Sequence, residues 1–391
     1  MTDNPFTKAT NWDFPVPVKY GPGRLAEVGA HCALAGCRKP LIVTDRATAK
    51  LPFVETLRGH IAAAGLAHGT FAEVSPNPTD VEVVAGKAAF LAGGHDSVIA
   101  LGGGSGMDAG KAISLVLNTA RDLWDFDYNV TSPAELGKAD FAPLLCVPTT
   151  SGTGAETEST AMITDTRRGI KGCVWHPAQK PFAALLDPEL TVGLPRNLTA
   201  WTGCDALTHA IEAYVVPSFH PMCDGIALQA LGMITRALPE ALDNPASIPA
   251  RGAMLTGSCL AGVAFLKGLG MVHAISHMVG AEFDTHHGLT NAVLLPLVMR
   301  FNEPAIAAKV APMCQAMGLA GTDFGSLYRA ICGLLDQCAI PRSLAEIGVT
   351  ADRIDSIAAK AMTDTAAGTN PRPFSLAEVT SLIRQALAHA R

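Results

Sequence analysis

The sequence predicts two architectures in series: a doubly wound α/β sheet over residues 1–192, then an all-helical part over residues 193–391. Three observations predict this. Short apolar runs alternate with helical patterns as far as Leu186. A glycine turn, Gly102-Gly103-Gly104-Ser105, directly follows one of those runs and opens a helix. Beyond Thr199 strand signals nearly vanish and Ala- and Leu-rich helical spacing takes over. At 391 residues the chain is also long for a single core.

The elements follow in order. Val16 to Tyr20 reads as a strand closed by Gly21-Pro22-Gly23, and a helix from Leu25 to about Leu34 ends at Gly36. Pro40 to Thr44 is an apolar run suited to a buried parallel strand, ending at Asp45. Leu51 to Ala64 is helical and Thr70 to Val74 is a strand. After the turn Ser75-Pro76-Asn77-Pro78, Thr79-Asp80-Val81-Glu82 is a capping box for a helix to about Leu91. Ser97 to Leu101 is a strand, and the helix after its glycine turn is expected to begin near Gly106 or Met107. Leu144 to Val147 is a strand, Thr157 to Thr164 with Gly172 to Trp175 a hairpin, and Ala183 to Leu186 the strand that closes the sheet. Helices are expected at Thr199 to Val216, Met222 to Leu242, Ile248 to Leu266, Met271 to Phe283, Leu289 to Arg300, Ser326 to Cys338, Ala351 to Thr363 and Leu376 to Ala390.

Composition removes several classes of function. Hydrophobic residues at 49% and charged residues at 16% argue for large buried cores and against disorder. A net charge of −6 offers no basic surface to nucleic acid or an anionic membrane. No apolar run approaches the length of a membrane span, and the N-terminus, MTDNPFTKATNWDF, lacks the basic-then-apolar pattern of a signal peptide. The ten cysteines form no C-x-x-C pair and read as reduced thiols, so a cytoplasmic location is expected.

Two constellations carry chemistry. The strand, the turn Gly102–Ser105 and the helix N-terminus together make a phosphate cradle, because glycines let N–H groups approach an anion that the helix dipole favours. A Walker loop is excluded, since Ala112 follows Lys111. Pro148-Thr149-Thr150-Ser151-Gly152-Thr153-Gly154, at another strand end, suits a second wall around a dinucleotide. Asp45 suits either a ribose 2′-hydroxyl, which selects NAD over NADP, or a helix N-cap. The second constellation is histidine-rich. Asp205 and His209, then His273 and His277, are i,i+4 pairs that each share a helix face. Two such helices can converge on one cation. The candidate set is Asp205, His209, His273 and one of His277, His286 and His287, a mixture suited to Fe(II), Zn(II), Mn(II) or Co(II).

The joint pattern of Gly102-Gly103-Gly104-Ser105 with Asp108 and Lys111, Pro148 to Glu156, Asp205-x-x-x-His209, His273-x-x-x-His277 and His287-Gly288 resembles the iron-containing (group III) alcohol dehydrogenase family over nearly the whole chain. The resemblance implies a Rossmann-like N-terminal domain, a helical C-terminal domain of dehydroquinate-synthase type and an active site between them. It implies Fe(II), with Zn(II) as the substitute, on Asp205, His209, His273 and His287, and His277 beside the nicotinamide and substrate. His286 has no ligand counterpart. NAD would be held by Asp45, Asn77, Gly103, Gly104, Ser105, Thr149, Thr150, Thr153 and Lys171. A homodimer is also implied. Departures from the family pattern are Gly110 where Ala is usual, Leu266-Lys267 where members have an asparagine pair, Thr160 in place of Asn, and Ala366 in place of Cys.

The implied activity is hydride transfer between NAD(H) and a primary alcohol/aldehyde pair. The alternative is an anionic hydroxy acid or semialdehyde of 4-hydroxybutyrate type, with Lys267 pairing the carboxylate, unless Lys267 is a solvated lysine at a helix end. A lyase of dehydroquinate-synthase type shares the architecture but not the full ligand pattern.

Overall fold

A computed structural model describes residues 16–130 and 133–391; the N-terminal stretch read above for targeting lies outside the described residues. Six parallel strands form the main sheet: β1 (Val18–Tyr20), β2 (Pro40–Asp45), β3 (Gly69–Val74), β4 (Ser97–Gly102), β5 (Leu144–Pro148) and β8 (Ala183–Leu186). A separate antiparallel pair, β6 (Thr160–Asp165) and β7 (Ile170–Trp175), is the expected hairpin. The strand order is β1-β8-β5-β4-β2-β3. β8 therefore does not close the sheet, because β1 takes the outer position beside it. Chain direction through the sheet reverses between β2 and β4, and such a switch point opens a crevice at the strands' carboxyl ends. Asp45 and Gly102 stand there.

Helices α1 (Val28–Leu34), α2 (Pro52–Ala63), α3 (Asp80–Gly93) and α4 (Gly104–Val116) flank the sheet, each following a strand. The strands read correctly because both of their faces are covered. Leu41, Val43, Val98 and Ala100 pack toward α3 and α4, while Ile42, Ile99, Leu101, Leu145 and Val147 pack toward α1 and α2. The capping box at Thr79 and Glu82 is present in α3.

The second half is helical as expected: α5 (Arg196–Val215), α6 (Pro221–Asp243), α7 (Ile248–Ala264), α8 (Met271–Phe283), α9 (His287–Ala316), α10 (Phe324–Gln337), α11 (Ile354–Ala361) and α12 (Leu376–Ala388). One expectation fails clearly. α9 runs on past Arg300 to Ala316 although Pro296, Pro304 and Pro312 lie inside it. A helix-interior proline costs about 3 kcal/mol or more, and here burial of Ile306, Val310, Met313 and Cys314 against the helical core offsets it. A second correction concerns membranes. The segment Ile248–Lys267 is long and apolar enough to span one by length and composition, but 67% of that window is buried inside the protein. It belongs to the helical core, packed between α5 and α6.

Candidate active site

A cleft of about 1080 Å³ is lined by both halves of the chain. On the sheet side, α4 begins at Gly104, two residues earlier than its sequence suggests, so Gly104 and Ser105 sit in its first turn. Their N–H groups belong to the set that an α-helix leaves without internal partners. Ser105 Oγ donates to Pro76 O, which fastens the turn to the loop carrying Asn77. Asn77 Nδ2 donates to Asp284 Oδ1 at 2.6 Å across the cleft, and Lys171 Nζ donates to Asn77 Oδ1 at 3.2 Å. Asp45 Oδ1 accepts from the N–H groups of Ala47 and Thr48, at 2.9 and 2.8 Å, so it pins the turn that leaves β2; it is not the helix N-cap foreseen for it, since Ala47 takes that position before the short helix Thr48–Lys50. Thr149, Thr150 and Thr153 form the facing wall. Their loop presses on α7: Gly154 has φ +62, and a Cβ there would lie 2.6 Å from Gly262 Cα.

Below this wall, α5, α8 and the start of α9 meet. Single ligand atoms of Asp205, His209, His273 and His287 all lie within 4.8 Å of one another. Each imidazole presents Nε2 to this point while another group holds Nδ1. His209 Nδ1 donates to Gly152 O at 3.2 Å, His273 Nδ1 to Glu212 Oε2 at 2.6 Å, and His287 Nδ1 faces Ser276 Oγ at 3.3 Å. Asn291 Nδ2 lies 2.7 Å from Asp205 Oδ1 and 3.1 Å from Nε2 of both His273 and His287, while its buried Oδ1 has no partner. Burial pushes His209 down to about 4 and His287 well below its ordinary value. These two imidazoles are thus neutral at neutral pH. One carboxylate and three imidazoles fit a divalent transition metal.

His277 sits one turn beyond His273 and lines the cleft. Its Nδ1 donates to Asp364 Oδ2 at 2.9 Å, and its ring stacks on His287 with centroids 5.2 Å apart. His286 also lines the cleft, but it caps α9 and packs on Trp201.

The glycine-loop helix carries a buried charge network. Lys111 Nζ pairs with Glu158 Oε1 at 3.0 Å and Asp108 Oδ1 at 3.3 Å, and donates to Ala155 O at 2.8 Å. Burial works against its charge, but Glu158 and Asp108 outweigh that and raise its pKa. Asp108 Oδ2 accepts from Met162 N, so this network ties α4 to the hairpin. Glu158 in turn accepts from the N–H and hydroxyl of Thr160 at the cleft wall. Glu156 is buried with Oε1 unpartnered, and desolvation pushes its carboxyl up to about 7. Gly110 is also explained: a Cβ there would lie 2.5 Å from Ala100 Cβ, so the helix lies directly on β4.

Sequence reasoning missed Glu212, Asp364 and Glu158. Glu212 carried a signal, since it lies on α5 three residues after His209. Lys267 is not the solvated lysine of one alternative, and it lines the cleft as the other requires. It is buried, it pairs with Asp224, and its Nζ donates to Tyr214 O at 3.1 Å. Thr160 and Ala366 do line the cleft.

Residues 15–188 match the model of the iron-containing alcohol dehydrogenase family, and residues 199–387 match its C-terminal model. The chain is 36% identical over 387 residues to the NAD-dependent methanol dehydrogenase of Bacillus methanolicus, covering 97% of this chain and 100% of that one. It is 35% identical to the 4-hydroxybutyrate dehydrogenase of Cupriavidus necator, over 93% and 96% of the two chains. The crystal structure of a 1,3-propanediol oxidoreductase superposes with a TM-score of 0.90 at 34% identity, over 97% and 100% of the chains. With both halves matched and the ligand cluster assembled, the chain belongs to the iron-containing alcohol dehydrogenase family.

Proposed function

We propose that this chain interconverts a small, uncharged primary alcohol and its aldehyde, using NAD and a divalent metal on Asp205, His209, His273 and His287. Family membership makes it an NAD- and metal-dependent oxidoreductase; the residue roles and substrate class are our reading. The observation that carries it is the convergence of four ligand atoms within 4.8 Å, in the same cleft as the helix N-terminus at Gly104. Fe(II) follows from the family, and Zn(II), which binds such donors at least as tightly, is the substitute.

The metal supplies Lewis-acid polarisation of the substrate oxygen and NAD supplies the hydride acceptor. The rest is the work of this chain. Gly103, Gly104 and Ser105 offer N–H groups to the pyrophosphate. Thr149, Thr150 and Thr153 wall one side of the dinucleotide, and Asn77 and Lys171 the other. Asp45 spends Oδ1 on its turn and offers Oδ2 to a ribose 2′-hydroxyl. His277 takes the alcohol proton on Nε2, with Asp364 fixing Nδ1 as the protonated nitrogen.

The pairing of Lys267 with Asp224 supports an uncharged substrate. Lys171 has its pKa lowered by burial and stands among Asp108, Asp205, Asp284 and Asp364, so it is already compensated. The test is anaerobic reconstitution with Fe(II), and separately Zn(II), followed by NADH absorbance with butanal and succinic semialdehyde, for wild type and Lys267→Ala. Preference for butanal in both proteins is expected. A wild-type preference for succinic semialdehyde that Lys267→Ala abolishes would refute the uncharged reading.

We further infer a cytoplasmic homodimer whose domains divide near Val192. The ten free thiols support a reducing compartment, and the division falls between the end of β8 and the start of α5.

A further inference from the structure

We infer that Glu212 is a positioning residue for the metal centre, setting the tautomer and orientation of His273; this rests on the metal reading above. Three groups hold the Nδ1 atoms of the clustered imidazoles, and they differ in kind. His209 has a backbone carbonyl, His287 has a hydroxyl, and His273 has a carboxylate at 2.6 Å. A carboxylate on Nδ1 makes the distal nitrogen a stronger donor to a cation than a neutral partner does. His273 is thereby the one clustered imidazole whose Nδ1 is held by a carboxylate.

Glu212 is itself fixed from several directions. Its Oε1 accepts from Val272 N at 2.8 Å and its Oε2 from Gly270 N at 3.1 Å, so it caps α8 from outside that helix. A Cβ at Gly270 would lie 2.8 Å from Glu212 Oε1, so glycine is what lets the carboxylate approach. Glu212 and Asp205 both project from α5, and both are buried. Together they bring two negative charges to one side of the cluster, matching a divalent cation where an uncompensated charge is expensive. A single side chain thus caps the helix that carries His273 and orients the imidazole on it.

A purely structural cap would affect the fold and leave metal affinity untouched. The experiment is chelator-competition titration of the metal-free full chain with Zn(II), for wild type, Glu212→Gln, His273→Ala and the double variant, with metal-free melting temperatures alongside. Glu212→Gln is expected to weaken Zn(II) binding about 10- to 100-fold. It is expected to have no further effect in the His273→Ala background, because its action passes through that imidazole. Binding within twofold of wild type, or an undiminished effect in the His273→Ala background, overturns the proposal. If Glu212→Gln does not fold, Glu212→Asp gives the same reading, because it keeps the charge but withdraws it from Nδ1: weaker binding supports the proposal and unchanged binding overturns it. A wild-type chain that takes up no Zn(II) overturns the metal assignment, and this proposal with it.

Discussion

Glu156 lies in the loop that walls the cofactor cleft, yet it turns inward to a place where its Oε1 has no partner. Burial raises its carboxyl from 4.5 to about 7. The folded chain therefore holds a proton that the unfolded chain releases between those two values. Stability falls as pH rises through that window, the reverse of a salt-bridged carboxylate. The full loss is about 3 kcal/mol, complete above the folded value, because the side chain is wholly buried and solvent screening is weak. Glu156→Gln cannot ionise. Whatever the amide itself does to stability is the same at every pH, so the informative quantity is how the variant differs from wild type as pH changes. In urea denaturation of metal-free protein at fixed concentration, the variant gains about 2.5 kcal/mol relative to wild type between about pH 5 and about pH 8. Parallel pH profiles for the two proteins would show that Glu156 is solvated or paired, and the argument from its burial would fall.

Four other outcomes are expected. Asp205→Ala abolishes stoichiometric metal, read by elemental analysis, together with turnover, while His273→Ala weakens metal binding and turnover; full activity in either refutes the ligand assignment. Asp364→Asn lowers kcat on the order of 100-fold while metal content stays at the wild-type level, since it loosens the proton acceptor without touching a ligand. Asp45→Gly raises the use of NADP relative to NAD, and an unchanged ratio counts against a ribose contact. Gly110→Ala forces α4 away from β4 and costs about 1–3 kcal/mol in a melting experiment; adding Ala100→Gly restores the loss if the contact at that crossing is responsible.

What could be read from the chain divides along physical lines. Parallel strands buried on both faces are continuous apolar runs, so Leu41–Val43 and Val98–Leu101 announced themselves. The i,i+4 pairs on α5 and α8 announced one face of a metal cluster, because helical geometry converts spacing into direction. The far end of α9 did not, because local proline rules lost to tertiary burial. Lys267 looked available because nothing near it in sequence reveals Asp224, 43 residues away and on another helix. Asp364 was equally hidden, 87 residues from the imidazole it holds. Glu212 was accessible in principle, lying on the same helix as two candidate ligands, but its partner on α8 appears only once the helices are packed.

The contact between His209 and the carbonyl of Gly152 has a thermodynamic consequence. Gly152 stands in the wall between Thr150 and Thr153, so the loop expected to bear on the dinucleotide also steadies one imidazole of the ligand cluster. Any energetic communication along this bond must run equally in both directions. A dinucleotide that tightens the loop raises the retention of the cation, and loss of the cation loosens the grip on the dinucleotide by the same factor. With such coupling the two cofactors would be linked occupants of one site, and neither dissociation constant would be a property of the chain alone.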